Sequence, residues 1–266
     1  GFKNLCQYGG LSGFPKREES PCDAYDTGHS STSISAGVGY VCASKVSGEE
    51  YHVVSVIGDG ALTGGMAYEA LNNAASLNKN FVIVLNDNKM SISENVGGIS
   101  SYLSNLRTAE SYTDLKSEVK KTLNKVPGIG PVMVQRIHKT KDSIKQLMIP
   151  GMFFEDMGIK YLGPVNGHDC GRMIQVFQEA KKVNGPVLVH VQTEKGRGYE
   201  PARKHPARFH GTSAFNLEHG IPLKTGGKAN YTDIFSTVML KLADRVPNLV
   251  ALTAAMPDGT GLKTVS

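Results

Sequence analysis

The stretch from Tyr51 to Met90 constrains the fold more than any other part of this sequence. Residues 51–57, Tyr-His-Val-Val-Ser-Val-Ile, form a short β-prone run stopped by Gly58, and residues 81–85, Phe-Val-Ile-Val-Leu, form another stopped by Asn86-Asp87-Asn88. Apolar runs of this length suit buried strands of a parallel sheet. Between them, Leu62 to Leu77 sets Leu62, Met66, Ala70, Leu71 and Ala74 at three- and four-residue spacing, which predicts one amphipathic helix. A strand–helix–strand unit of this size closes as a right-handed crossover with parallel strands. Asp59 and Asn88 then emerge at carboxyl ends, where open α/β sheets bind ligands. If the two strands are direct neighbours, about 4.8 Å separates them.

The residue types at those ends define a chemistry. One carboxylate and one amide oxygen suit a hard cation that keeps further positions for phosphate oxygens and water, and magnesium fits that description. Gly58 and Gly60 flank Asp59, so backbone can pass close to a diphosphate with no Cβ in the way. The N-terminus of the following helix adds N–H donors and a favourable dipole. A bare Gly-Asp-Gly is usually only a turn; the flanking strands and the Asn 29 residues later give it weight here. The combination resembles the thiamine diphosphate signature shared by transketolases, decarboxylases and 2-oxo acid dehydrogenases.

Composition sets looser bounds. With 266 residues and 40% apolar content the chain can bury a real core, as one large α/β domain or one and a half ordinary ones. No apolar run approaches the ~20 residues that span a bilayer, so no membrane partner is expected. The net charge of +5 suits anionic phosphorylated ligands and nucleic acid equally. Cys6, Cys22, Cys42 and Cys170 are scattered without a Cys-x-x-Cys pair; they suggest neither a zinc site nor a disulfide framework, and a reducing cytosol is the default.

A narrower likeness covers nearly the whole chain. Gly9-Gly10-Leu11-x-x-Phe14-Pro15, Gly28-His29-Ser30-Ser31-Thr32-Ser33-Ile34-Ser35, Leu85-Asn86-Asp87-Asn88-x-Met90-Ser91-Ile92-Ser93, Gly163-Pro164-Val165-x-Gly167-His168-Asp169 and Lys195-Gly196-Arg197-Gly198-Tyr199-Glu200-Pro201 together resemble the 1-deoxy-D-xylulose 5-phosphate synthase family. Transketolases share only the outline of this set. The resemblance implies an open, mostly parallel sheet flanked by helices, the thiamine diphosphate-binding fold, followed by the beginning of a second similar domain. It implies thiamine diphosphate with Mg2+, pyruvate and D-glyceraldehyde 3-phosphate as substrates, and a homodimer. The reaction implied is decarboxylation of pyruvate with carboligation to the triose phosphate, opening non-mevalonate isoprenoid synthesis and feeding thiamine and pyridoxal synthesis. A cytoplasmic setting is expected, with a plastid left open.

The resemblance also carries roles over residue by residue. Asp59 and the Asn88 side chain would hold magnesium, with the Met90 backbone carbonyl as a third protein ligand. Gly60 and Ala61 would line the diphosphate, and Gly28, His29 and Ser30 another part of the cofactor. Tyr199 would contact the cofactor, and His210 would sit near the reacting carbon. Each type also has an ordinary use: the histidines as hydrogen-bonded side chains, Tyr199 as a packed aromatic, and the hydroxyls before Ser33 as helix caps. Asp169 is expected to cap a helix from Cys170 to Val183 rather than do chemistry.

The organisation expected is a diphosphate-binding domain over residues 1–210 with a helical insertion at about 102–150, a linker over 211–228, and the truncated start of a pyrimidine-binding domain over 229–266. Residues 1–27 and 91–112 read as loops, 186–192 as a strand, 231–245 as a helix and 249–253 as a strand. The family's second-domain glutamate and the segment before Gly1 lie outside these residues, so the chain is expected to be a partial synthase, incomplete for catalysis. A rival reading rests on Val126-Pro127-Gly128-Ile129-Gly130, which resembles the hairpin of helix-hairpin-helix DNA-binding modules, surrounded by Lys116, Lys120, Lys121, Lys125 and Arg136. Interleaved Asp114, Glu118 and Asp142 weaken it, and no nucleic-acid partner is expected.

Overall fold

The protein is described by a computed structural model covering residues 2–90, 95, 97–108, 152–212, 214–223, 229–254 and 256–265. The proposed hairpin at 126–130 and most of the helical insertion lie outside the described residues. The chain divides into two units: residues 1–87 with 97–193, and residues 88–96 with 194–266.

The first unit is built on a four-stranded parallel sheet in the order β1-β2-β4-β3, with β1 at Val54–Gly58, β2 at Phe81–Asp87, β3 at Lys160–Asn166 and β4 at Pro186–Gln192. β1 and β2 are direct neighbours as expected, paired from Val54↔Val82 to Gly58↔Asn86. Because side chains alternate along each strand, the sheet carries two cores. Ile57, Phe81, Ile83, Leu85, Tyr161 and Leu188 face one side. Helices α1 (Ser33–Ser47), α2 (Gly65–Ala74), α3 (Gly98–Thr108) and α4 (Met152–Asp156) cover that side with Ile34, Ala70, Leu103 and Phe154 among others. Val82, Val84, Leu162, Val187 and Val189 face the other side, under α5 (Cys170–Ala180).

Local detail departs from expectation at several points, each with a physical cause. β1 is buried on one face only: Val54 and Val56 are 53% and 61% exposed, because β1 ends the sheet order and α5 packs against β3 and β4. The helix after Asp59 does not start at Leu62. A 3-10 turn over Ala61–Thr63 comes first, Gly64 is extended, and α2 starts at Gly65; the shift leaves Met66 out of the buried stripe and 47% exposed. α3 replaces part of the loop expected over 91–112, and its Leu103 and Leu106 are buried. β3 lies where no strand was expected, since Gly163-Pro164 interrupts its run and the register shifts between Leu162 and Val165.

α1 shows why its small residues matter. A Cβ on Gly37 would meet the Ser55 hydroxyl and come within 2.6 Å of the Phe81 ring, so the helix lies against the sheet only because that position is bare. α5 is capped as expected, the Asp169 carboxylate accepting from the Arg172 N–H at 3.0 Å, although it ends at Ala180. There the Asn80 side chain donates to the carbonyls of Ala180 and Val183 at 2.9 and 2.8 Å.

The second unit contains α6 (Glu200–Lys204), α7 (Tyr231–Ala243) and α8 (Pro257–Thr260). The helix expected over 231–245 is present, opened by a capping box between Asn230 and Asp233. The strand expected at 249–253 does not form. Strand structure needs a hydrogen-bonding neighbour, none is present for it among the described residues, and Leu252 is 92% exposed. Part of the stretch read as a linker is tied down: Phe215 bridges Pro222, and Tyr199, Phe209 and Phe215 pack ring against ring at 5.2–6.0 Å.

Candidate cofactor and metal site

In the first unit, β1 delivers Asp59 to its carboxyl end. Asp59 is 1% exposed, and its backbone N–H donates to the Asn86 carbonyl at 3.2 Å. A carboxylate this far from water requires hydrogen bonds or a cation. Around it the backbone is bare: a Cβ on Gly58 would meet nothing within 4 Å. The Thr63 hydroxyl donates to the Gly60 carbonyl at 2.7 Å and shapes the turn that holds Gly60 and Ala61.

The hydroxyl-rich loop before α1 is brought to the same turn. Ser31 takes a left-handed backbone, φ 71°, and its hydroxyl donates to the Ala61 carbonyl at 2.7 Å. Gly28, His29 and Ser30 therefore stand in the loop that is pinned to Ala61. The capping expected of these hydroxyls is not observed: Thr32 at the N-cap makes no side-chain cap bond and instead meets Tyr25 and Thr27 hydroxyls at 3.2 and 3.3 Å. His29 is exposed, its Nδ1 lying 2.6 Å from the Ser30 carbonyl.

Asn88, Met90, Tyr199 and His210 belong to the second unit. Asn88 Oδ1 accepts from the Met90 N–H at 3.0 Å, a side-chain turn that leaves the Met90 carbonyl outside the bond. Tyr199 donates its hydroxyl to the Leu217 carbonyl at 2.8 Å. His210 lies with its Nδ1 2.9 Å from the Lys195 ammonium, and burial first, then that ammonium, lowers its pKa below 6.5. A cavity of about 1010 Å³ in this unit is lined by Met90, His205, Arg208, His210, Asp258 and Lys263, a predominantly basic set.

Among the described residues no three His, Cys, Asp or Glu side chains form a group able to hold a metal. A cation on the candidate residues would rest on one carboxylate with amide and carbonyl oxygens. The four cysteines are exposed free thiols, and no helix among the described residues is long and apolar enough to cross a membrane.

Sequence reasoning missed one set of polar residues altogether. Asp87, His190 and Tyr161 form a hydrogen-bonded line inside the core of the first unit. The signal available was a lone histidine inside Pro-Val-Leu-Val-His-Val-Gln, which requires partners if that run is a buried strand.

The parallel sheet with helices on both faces, bearing a glycine-flanked buried aspartate at a strand end, defines an open α/β protein. The family model described as 1-deoxy-D-xylulose-5-phosphate synthase matches residues 1–193. Curated synthases of that name from Lachnoclostridium phytofermentans and Desulfitobacterium hafniense are each 54% identical over 261 residues, 98% of this chain and 42% and 41% of theirs. A transketolase structure from Campylobacter jejuni aligns over 90% of this chain and 28% of its own at 19% identity, with a TM-score of 0.46. This chain belongs to the 1-deoxy-D-xylulose-5-phosphate synthase family and spans under half the length of the curated relatives it matches.

Proposed function

We propose that this chain supplies the diphosphate-binding part of a thiamine diphosphate-dependent 1-deoxy-D-xylulose 5-phosphate synthase. The observation that carries the reading is the burial of Asp59 at the carboxyl end of β1, beside β2, whose Asn86 carbonyl accepts the Asp59 N–H. The donor set suits Mg2+: a carboxylate from Asp59, an amide oxygen from Asn88 and the Met90 carbonyl, with phosphate oxygens and water completing the shell. The open space beside Gly58 suits a diphosphate passing close to backbone.

Gly60 and Ala61 line the diphosphate in this reading, Gly28, His29 and Ser30 line another part of the cofactor, and Tyr199 contacts it. When bound, thiamine diphosphate supplies the electron sink for decarboxylating pyruvate and joining the remaining two carbons to D-glyceraldehyde 3-phosphate. His210, its pKa lowered, is suited to accept a proton near the reacting carbon at neutral pH and to return it. The reading extends to a homodimeric enzyme in the cytoplasm or a plastid, opening isoprenoid synthesis.

Calorimetric titration of the full-length protein with thiamine diphosphate tests it, with and without Mg2+. Asp59→Ala is expected to abolish the magnesium-dependent heat; an unchanged heat would refute the metal role. Turnover of pyruvate with D-glyceraldehyde 3-phosphate to 1-deoxy-D-xylulose 5-phosphate and carbon dioxide is expected, and two-carbon transfer between sugar phosphates in its place would favour a transketolase.

A further inference from the structure

Asp87 ends β2, and its carboxylate Oδ2 stands 2.8 Å from His190 Nε2 on β4, while His190 Nδ1 stands 2.7 Å from the Tyr161 hydroxyl on β3. The three residues are 2%, 0% and 1% exposed. The strand register makes the line diagonal: Leu85 pairs with His190, Asp87 lies two residues beyond, and Tyr161 pairs with Leu188, two residues short. All three therefore point to one face, the face of the larger core. Phe154 stacks on the Tyr161 ring at 6.1 Å and 4°, and Gly163 permits β3 to approach, since a Cβ there would come within 2.6 Å of the His190 carbonyl.

The protons can be counted. An ionised Asp87 only accepts, so His190 Nε2 carries the proton between them, and a ring with that single proton accepts the Tyr161 O–H at Nδ1. Burial first, then Tyr102 and Asp87, pushes the Tyr161 phenol pKa up and keeps it a donor. Both histidine nitrogens are satisfied without a charge on the ring, which makes a buried polar line tolerable. Stability alone explains it poorly, because well-packed apolar residues in such places are often as stable or more so.

What distinguishes the line is where it ends. Asn86 joins Asp59 to β2 through its carbonyl, and its side-chain oxygen accepts from the Thr193 hydroxyl at 2.6 Å. Asn88 turns back on Met90. Asp87 is the middle residue, and its side chain goes down into the sheet. We infer that Asp87, His190 and Tyr161 are positioning residues that fix the carboxyl end of β2, where the Asn86 carbonyl receives the Asp59 N–H, and so hold Asp59 in place for a divalent cation. The inference rests on the metal reading proposed above and assigns a task to three residues outside the ligand set. They act through Asn86 and touch no substrate.

The test is the Mg2+ affinity of the folded full-length protein, measured by calorimetry with saturating thiamine diphosphate, beside thermal unfolding without either. Tyr161→Phe removes one hydroxyl and keeps the packing; His190→Asn shortens the link to Asp87. Outer partners of metal ligands typically alter affinity by about 10–100-fold, and His190→Asn is expected in that range. Tyr161→Phe is expected at roughly the lower edge of it, with maximal turnover restored by excess Mg2+. A lowered unfolding temperature with unchanged Mg2+ affinity in both variants overturns the inference. Asp59→Ala separates the two claims. If it abolishes Mg2+ binding while both core variants leave affinity intact, only the positioning role falls; if it also binds normally, the metal reading falls and takes that role with it.

Discussion

The Ser31 hydroxyl donates to the Ala61 carbonyl across 2.7 Å, joining the loop that opens α1 to the turn that closes β1. Ser31 holds a left-handed backbone to do so, φ 71°. Ser31→Ala loses the bond and keeps the strain, and is expected to destabilise by about 1 kcal/mol. Ser31→Gly loses the same bond but relieves strain of about 1 kcal/mol, so it should be near neutral. Urea unfolding of the pair tests this; equal losses would disconnect the backbone from the effect.

Gly37→Val tests the approach of α1 to the sheet. Its side chain would meet Ser55 and the Phe81 ring, and overpacking of this kind costs about 1–3 kcal/mol. The chemical-denaturation midpoint should fall, and a rise would show that the helix can shift outward at no cost.

Asp169→Ala removes the cap of α5. A loss of about 1 kcal/mol in unfolding free energy is expected, with turnover of the full-length enzyme unchanged. Lost turnover at intact stability would move Asp169 from capping to chemistry.

His210 and Lys195 make a prediction with a definite sign. The folded pKa lies below 6.5, chiefly from burial and secondarily from Lys195. Between those two pKa values the folded chain binds fewer protons than the unfolded one, so stability falls as pH drops through that window. Lys195→Met removes the smaller cause, and the His210 pKa followed by NMR should rise part of the way towards 6.5. No rise would mean that burial accounts for all of the shift.

Sequence periodicity located β1, β2, β4 and the strand–helix–strand unit because their apolar runs are continuous. It failed at β3, where Gly163-Pro164 interrupts the run, and at α3, where Ile99, Leu103 and Leu106 keep helical spacing among serines and Asn105 that read as loop. It overreached at 249–253, whose β-prone residues have no neighbouring strand among those described. The place of Asp59 at the end of β1 was readable because the apolar run before it is local. The pairing of Asp87 with His190 spans 103 positions and depends on β4 lying beside β2, which no local pattern encodes.

The order β1-β2-β4-β3 has a consequence for a chain made from its amino end. β3 leaves the ribosome before β4, yet among the described residues its neighbour in the sheet is β4. Until Pro186–Gln192 emerges, β2 and β3 each lack the strand neighbour that joins them in the described sheet. Vectorial synthesis must therefore hold roughly half the sheet waiting for its keystone, and the two cores close together when that last strand slots between its neighbours.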